Sequence, residues 1–165
     1  MNRRFEHRRR GRGFGLADTA VALALLAALL YVLLDRLLYM REMSEKTEME
    51  ETVRTIDYAL RLEAASRLAR GAEAGRPPLE DENPVKWLKP PPRNYLGEMQ
   101  RPPAHARPAY WYYDRAARQL VYRPNLTAHL KVAGRDAQEL RFVVRRGDDA
   151  ALEPRLVPRL PYAWF

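Results

Sequence analysis

The chain has 165 residues, is 47% hydrophobic and 30% charged, and carries a formal net charge of +8. That length fits one small domain plus an additional segment rather than two full domains. There is no cysteine, which excludes a disulfide scaffold, a thiolate zinc site, a cysteine nucleophile and an iron–sulfur cluster. The two serines, Ser44 and Ser66, lie in charged helix-like sequence with no histidine nearby. Composition therefore leans away from an enzyme, and no cofactor is expected.

The charge is concentrated at the start. Residues 1–13 hold six arginines against Glu6, a net +5, which leaves only +3 for the other 152 residues. Alone, such a block reads as a disordered nucleic-acid-binding arm. The adjoining segment argues for a membrane instead. From Phe14 to Leu34 the sequence is FGLADTAVALALLAALLYVLL, in which Asp18 is the single charge. At about 1.5 Å per residue a helix of this length spans roughly 30 Å, the hydrocarbon thickness of a bilayer. Tyr31 and Tyr39 fall near its far end, and the arginines before it place the near end in the cytoplasm by the positive-inside rule. A cleaved secretory signal would have a shorter apolar region and a small-residue cleavage site before a polar start. Here the apolar run passes into Asp35 and Arg36 without a break. The expected arrangement is a retained single span over 14–40, with the remainder outside the cytoplasm. Asp18 is costly in such a segment unless it is paired or reaches the interface.

Residues 41–70 contain no proline or glycine. Met49, Val53, Ile56, Leu60, Ala64 and Leu68 recur at spacings of three and four, one apolar stripe on a 3.6-residue period. Gly71 is a plausible stop. The spacing predicts one continuous helix from about 15 to 70, its first half in lipid and its second half packed through Val53, Ile56, Leu60 and Leu68. A parallel coiled coil is the alternative for that half, but sustained a/d Leu or Ile is missing.

Residues 71–108 hold nine of the thirteen prolines, together with Trp87, Leu88, Tyr95 and Leu96. Aromatic and aliphatic anchors among prolines read as an ordered connection, with a polyproline recognition segment as the alternative. In 109–165, Ala109–Asp114 and Gln119–Arg123 read as a hairpin, and Leu140–Arg145 as a third strand with Leu140, Phe142 and Val144 on one face. Pro154, Pro158 and Pro161 are expected to leave the C-terminal stretch extended or looped. The predicted fold is therefore α+β: a long N-terminal helix packed on a small antiparallel sheet that cannot bury enough surface alone. Asp148, Asp149 and Glu153 read as a solvated turn; their spacing matches no established calcium loop.

Arg12-Gly13-Phe14-Gly15-Leu16-Ala17-Asp18 resembles the processing site of type IV prepilins and type II secretion pseudopilins. In that class a basic leader ends in Gly, the mature chain begins with Phe, and an acidic residue stands fifth in an apolar stretch. The resemblance implies cleavage after Gly13 by a prepilin peptidase, N-methylation of Phe14, and a role for Asp18 with the Phe14 amine in subunit assembly. It also implies a pilin-like fold in a bacterial inner membrane, with the C-terminal domain periplasmic. The implied partners are other pilin-like subunits and an inner-membrane assembly platform, not nucleic acid; major pseudopilins carry a calcium loop, but with Asp148, Asp149 and Glu153 read as a solvated turn no metal is expected here. Here Asp stands where Glu is usual, and no proline interrupts the apolar helix. The lack of cysteine favours the secretion-type pseudopilins over pilins that close a C-terminal loop with a disulfide. An unprocessed, N-in, single-pass anchor with a protein-binding periplasmic domain shares every feature except the cleavage.

Overall fold

The computed structural model describes residues 15–71, 76–146 and 153–165. The chain divides into two compact units, Met1–Met40 and Arg41–Phe165. A single helix, α1 (Leu16–Ala69), contributes to both. It ends as its sequence suggests: Gly71 adopts φ 61°, and its N–H reaches the Leu68 carbonyl at 3.1 Å. Only glycine takes that left-handed conformation without steric cost.

Within the first unit α1 is apolar and outward-facing all round. Leu23, Leu25, Leu29 and Leu33 are each more than 60% exposed. The helix is long and apolar enough to cross a membrane, and none of its apolar window is buried.

The second unit adds eight strands: β1 (Tyr95–Glu98), β2 (Tyr110–Asp114), β3 (Gln119–Arg123), β4 (Leu130–Val132), β5 (Arg135–Asp136), β6 (Leu140–Arg146), β7 (Pro154–Pro158) and β8 (Tyr162–Trp164). They form a larger sheet of order β1-β2-β3-β6-β7 and a smaller one of order β5-β4-β8. The pairing is antiparallel throughout except between β1 and β2. The hairpin and third strand lie where the alternation places them, with Leu140, Phe142 and Val144 buried on one face.

The C-terminal stretch differs from expectation. It is not a loop: β7 pairs with β6, and β8 pairs with β4. Proline is compatible with β7 because this is an edge strand with Pro154 and Pro158 at its two ends. The proline-rich connection is ordered by two short 3₁₀ turns, Leu79–Asp81 and Pro84–Trp87, and contributes β1. Asn83 ties it together. Its side-chain oxygen accepts from the Val85 N–H at 3.0 Å, and its amide nitrogen donates to Tyr95 Oη at 2.7 Å and Glu98 Oε1 at 3.0 Å.

The core lies between α1 and one face of the large sheet. Met49, Ile56 and Leu60 from α1 meet Trp111, Leu120, Tyr122, Phe142 and Leu156, with Val53 partly buried beside them. Burying each such side chain stabilises by about 1.5–3 kcal/mol relative to exposure. Leu68 is a correction: it is 74% exposed and packs on nothing in the core. At roughly 100° per residue, Leu68 lies about 80° around the helix from Leu60, whereas Arg67 lies nearly in line with it. Arg67 is the buried residue of the last turn.

Leu60→Asp should lower the stability of a 41–165 fragment by about 3 kcal/mol or more, because it buries an unpaired charge. Leu68→Asp should stay within about 0.5 kcal/mol of the parent. Urea melts followed by tryptophan fluorescence check both, and coincident midpoints for the two variants would refute the packing described.

Candidate functional site

Gly13 and Phe14, the expected cleavage and methylation positions, lie outside the described residues. Asp18 is in the first turn of α1, and its Oδ2 accepts a hydrogen bond from the Gly15 N–H at 3.2 Å. Thr19 donates through its hydroxyl to the Leu16 carbonyl at 2.9 Å. An acidic side chain reaching back to the backbone at the start of a helix satisfies one of the orphan N–H groups there and complements the dipole. Asp18 thus has a partner that the sequence does not reveal: its own helix end.

The second region is the line of contact between α1 and the β-domain. The apolar stripe is bracketed by two buried charges, Glu42 and Arg67, that fall on the same helical line as Met49, Ile56 and Leu60. Spacings of seven, seven, four and seven bring all five to nearly one side. Neither charge is legible as core from residue type, since Glu and Arg are rarely buried unless partnered.

Glu42 is partnered fully. Its Oε1 accepts from the His129 N–H at 2.9 Å and from Trp164 Nε1 at 2.9 Å, and its Oε2 lies 2.9 Å from His129 Nδ1. Burial pushes this carboxyl up, but the hydrogen bonds from His129 and Trp164 outweigh it and hold the group below its ordinary value. The imidazole stacks on Phe165 at 4.8 Å, so the chain end is drawn into the same cluster.

Two more helix carboxylates act alike. Glu45 accepts from the N–H groups of Asn125 at 2.6 Å and Leu126 at 3.2 Å, and from Tyr122 Oη at 3.1 Å. Burial, with Glu45 beside it, pushes the Tyr122 phenol strongly up, so the hydroxyl stays a donor. Asp57 accepts from the Leu156 N–H on edge strand β7 at 2.9 Å and binds Arg61 at 2.6 Å. Three acidic side chains of one helix therefore satisfy four backbone donors of the β-domain.

Arg67 closes the far end. It donates to Glu63 Oε1 at 3.0 Å, to Glu82 Oε1 at 2.7 Å and to the Pro77 carbonyl at 2.9 Å, and lies 5.3 Å from the Trp87 ring centroid. Burial acts against its charge, but Glu82 and Glu63 prevail and hold its pKa above the usual arginine value. This network docks the proline-rich connection on the helix end.

Among the described residues, no group of three or more His, Asp or Glu is placed to hold a metal ion. Asp148 and Asp149 lie outside those residues, and Glu153 is 4.0 Å from Arg61 Nε. The polar clusters described are occupied by structural bonds.

The pH response rests on Glu42. A carboxyl whose pKa is lower in the folded state than its unfolded value of about 4.3 contributes stability above that value. The contribution is lost as pH falls through the folded-state pKa. Glu42→Gln should therefore destabilise the 41–165 fragment by about 2 kcal/mol at pH 7, with a smaller deficit below about pH 4. Urea midpoints at pH 7 and pH 3.5 check this; a deficit independent of pH would contradict the charged role.

Comparison with protein-family models, curated proteins and solved structures finds no match to this chain.

Proposed function

We propose that this protein is a pilin-like structural subunit of a type II secretion pseudopilus or a related type IV filament. In this reading it sits in a bacterial inner membrane as a single-pass protein, N-terminus cytoplasmic and C-terminal domain periplasmic. The observation that carries the proposal is the position of Asp18. It is five residues beyond Gly13, at the head of an apolar helix that runs through to the half covering a sheet. The basic leader holds the scissile Gly13–Phe14 bond at the cytoplasmic face, where a prepilin peptidase cuts it. The catalysis belongs to that peptidase. The freed and methylated amine of Phe14 supplies a cation for Asp18 of a neighbour, and an inner-membrane assembly platform moves the helix from lipid into the filament. Its partners are other pilin-like subunits, not nucleic acid.

One observation favours a second reading. The hydrogen bond from the Gly15 N–H gives Asp18 a partner without any cleavage. An unprocessed N-in anchor with a protein-binding periplasmic domain would use the same bond.

Intact mass of membrane-extracted protein separates the two. A chain beginning at methylated Phe14 is expected, and Gly13→Leu should block its appearance. A chain beginning at Met1 in cells that possess the peptidase would leave the plain anchor. Asp18→Ala and Asp18→Asn should spare cleavage but reduce crosslinking to other subunits, whereas Asp18→Glu should preserve it. Equal crosslinking by all three would remove the assembly role from the carboxylate.

A further inference from the structure

The face of the large sheet turned away from α1 is divided in two. Over β2 and β3, Tyr110, Tyr112 and Val121 are buried beneath Met99 and Ala106. Over β6 and β7 the alternation of the strands puts Arg141, Val143 and Arg145 beside Arg155 and Val157, because Phe142, Val144 and Leu156 face the core. Arg159 joins them: its N–H bonds the Arg141 carbonyl at 2.8 Å, and its guanidinium shares Gln119 Oε1 with Arg141. Arg141 is neutralised by Glu139 at 2.6 Å. Arg145, Arg155 and Arg159 are exposed and have no ion pair among the described residues. Asp148 and Asp149, between β6 and β7 in the chain, are outside them.

Arg145 and Arg155 are direct cross-strand partners. Like charges in that position oppose sheet pairing. Beside the arginine face, Val132, Leu140 and Leu160 line a cleft of about 200 Å³ whose rim includes Glu139, Arg141 and Arg159. The patch therefore has two parts: a basic pair, and a small apolar cleft four residues along β6, roughly 14 Å away at about 3.4 Å per residue.

A matching order is found on the outward side of α1. At roughly 100° per residue, Glu51, Tyr58 and Leu62 lie within about 40° of the direction opposite the Ile56–Leu60 stripe. Glu48, three residues before Glu51, flanks that face at about 80° from the same direction. Tyr58 is 70% and Leu62 61% exposed. Glu48 is exposed with no ion pair among the described residues, and Glu51 meets only Arg54 in an exposed pair worth little in water. From Tyr58 back to Glu51 and Glu48 is roughly 10–15 Å along the helix. An acidic pair and an aromatic ring on one surface thus have the same separation as a basic pair and an apolar cleft on the other.

We propose that the outward face of α1 at Glu48–Leu62 docks on the β6–β7 face of a second copy of this chain, with Tyr58 in the cleft and Glu48 and Glu51 on Arg145 and Arg155. The guanidinium fork matches carboxylates bidentately, and among the described residues the aromatic side chains of β2 and β3 are buried rather than offered to stacked bases. The two surfaces differ, so the contact is head-to-tail and builds a ring or an open array rather than a two-fold dimer. This deepens the subunit reading but uses only the second unit and does not depend on cleavage after Gly13.

The absence of cysteine permits a clean test in the full chain, held in lipid nanodiscs or micelles at low salt. A Tyr58→Cys copy mixed with a Leu160→Cys copy should form a disulfide-linked pair, and Leu160→Cys alone should not. Arg145→Glu with Arg155→Glu in the Leu160→Cys copy should cut the yield at least about tenfold. Adding Glu48→Arg with Glu51→Arg to the Tyr58→Cys copy should restore it, which a misfolded variant would not allow. Arg145→Gln with Arg155→Gln, a milder change, should give an intermediate yield. No wild-type-charge crosslink, a yield indifferent to the reversal, or a loss that the swap fails to restore would each overturn the proposal. A chain that begins at Met1 yet crosslinks in this pattern would sink the processed-subunit reading and leave the docking intact; a processed chain with no crosslink would do the reverse.

Discussion

A helix carboxylate bonded to a backbone N–H of the β-domain is the contact on which the second unit depends. Apolar burial along Met49, Ile56 and Leu60 supplies the driving force, but that force is non-directional. It would tolerate a helix slid or rotated over the sheet. Glu42, Glu45 and Asp57 remove that freedom, because each must meet particular N–H groups in a loop or at a strand edge. A charge-assisted bond of this kind is roughly twice as strong as a neutral one, and a lost partner would leave Glu42 buried and unsatisfied. Direction comes from the acids and magnitude from the stripe.

The same bonds manage the exposed parts of the sheet. An edge strand presents unpaired N–H groups that invite pairing with another chain. On β7 the Leu156 N–H is taken by Asp57, and Pro154 and Pro158 have no N–H to offer. On the other side β1 is short, and its register against β2 is irregular around Gly97, which has φ 97°. Both edges are thus blunted by different means. The small sheet is tied to the core by Leu130 and Trp164: both are buried there, and Trp164 donates its indole N–H to Glu42. β8 is therefore fixed to the first turns of the second unit, although 122 residues separate the two in sequence.

Much of this fold is legible in the sequence, and the misreadings share one cause. Period and breakers locate α1 and its end at Gly71, because a helix without Gly or Pro is decided locally. Alternation locates β2, β3 and β6, whose buried face repeats every second residue. Neither signal reaches a residue whose burial depends on distant partners. Leu68 looks like core and is exposed; Arg67 looks like surface and is buried, because Glu82 and Trp87 come from another segment. Glu63, which lies off the stripe, holds Arg67 through contacts its own position does not announce. β7 and β8 are hidden by Pro154 and Pro158 at the ends of β7 and by Pro161 just before β8, since the sequence does not say which strand will lie at an edge. Glu42 carries a weak signal: it stands seven residues before Met49, in line with the stripe.

Asp18 shows how magnitudes divide a residue's roles. A helix-start hydrogen bond of the kind it makes with Gly15 is worth about 0.5–2 kcal/mol. A carboxylate at the centre of a spanning helix costs about 2.5–3.5 kcal/mol on insertion scales, less toward the interface. Near the interface the cap alone can offset the cost, and nothing further is required of Asp18. On the proposed subunit reading, removal of the residues before Phe14 and transfer into a packed bundle of helices would take the carboxylate deeper, where the cap would fall short by up to a few kcal/mol. A cation must then make up the difference, and the nearest one created by cleavage is the Phe14 amine. On that reading the helix cap and the amine would be successive partners rather than rivals: the first makes the carboxylate tolerable in the resting helix, and the second would make its burial conditional on processing.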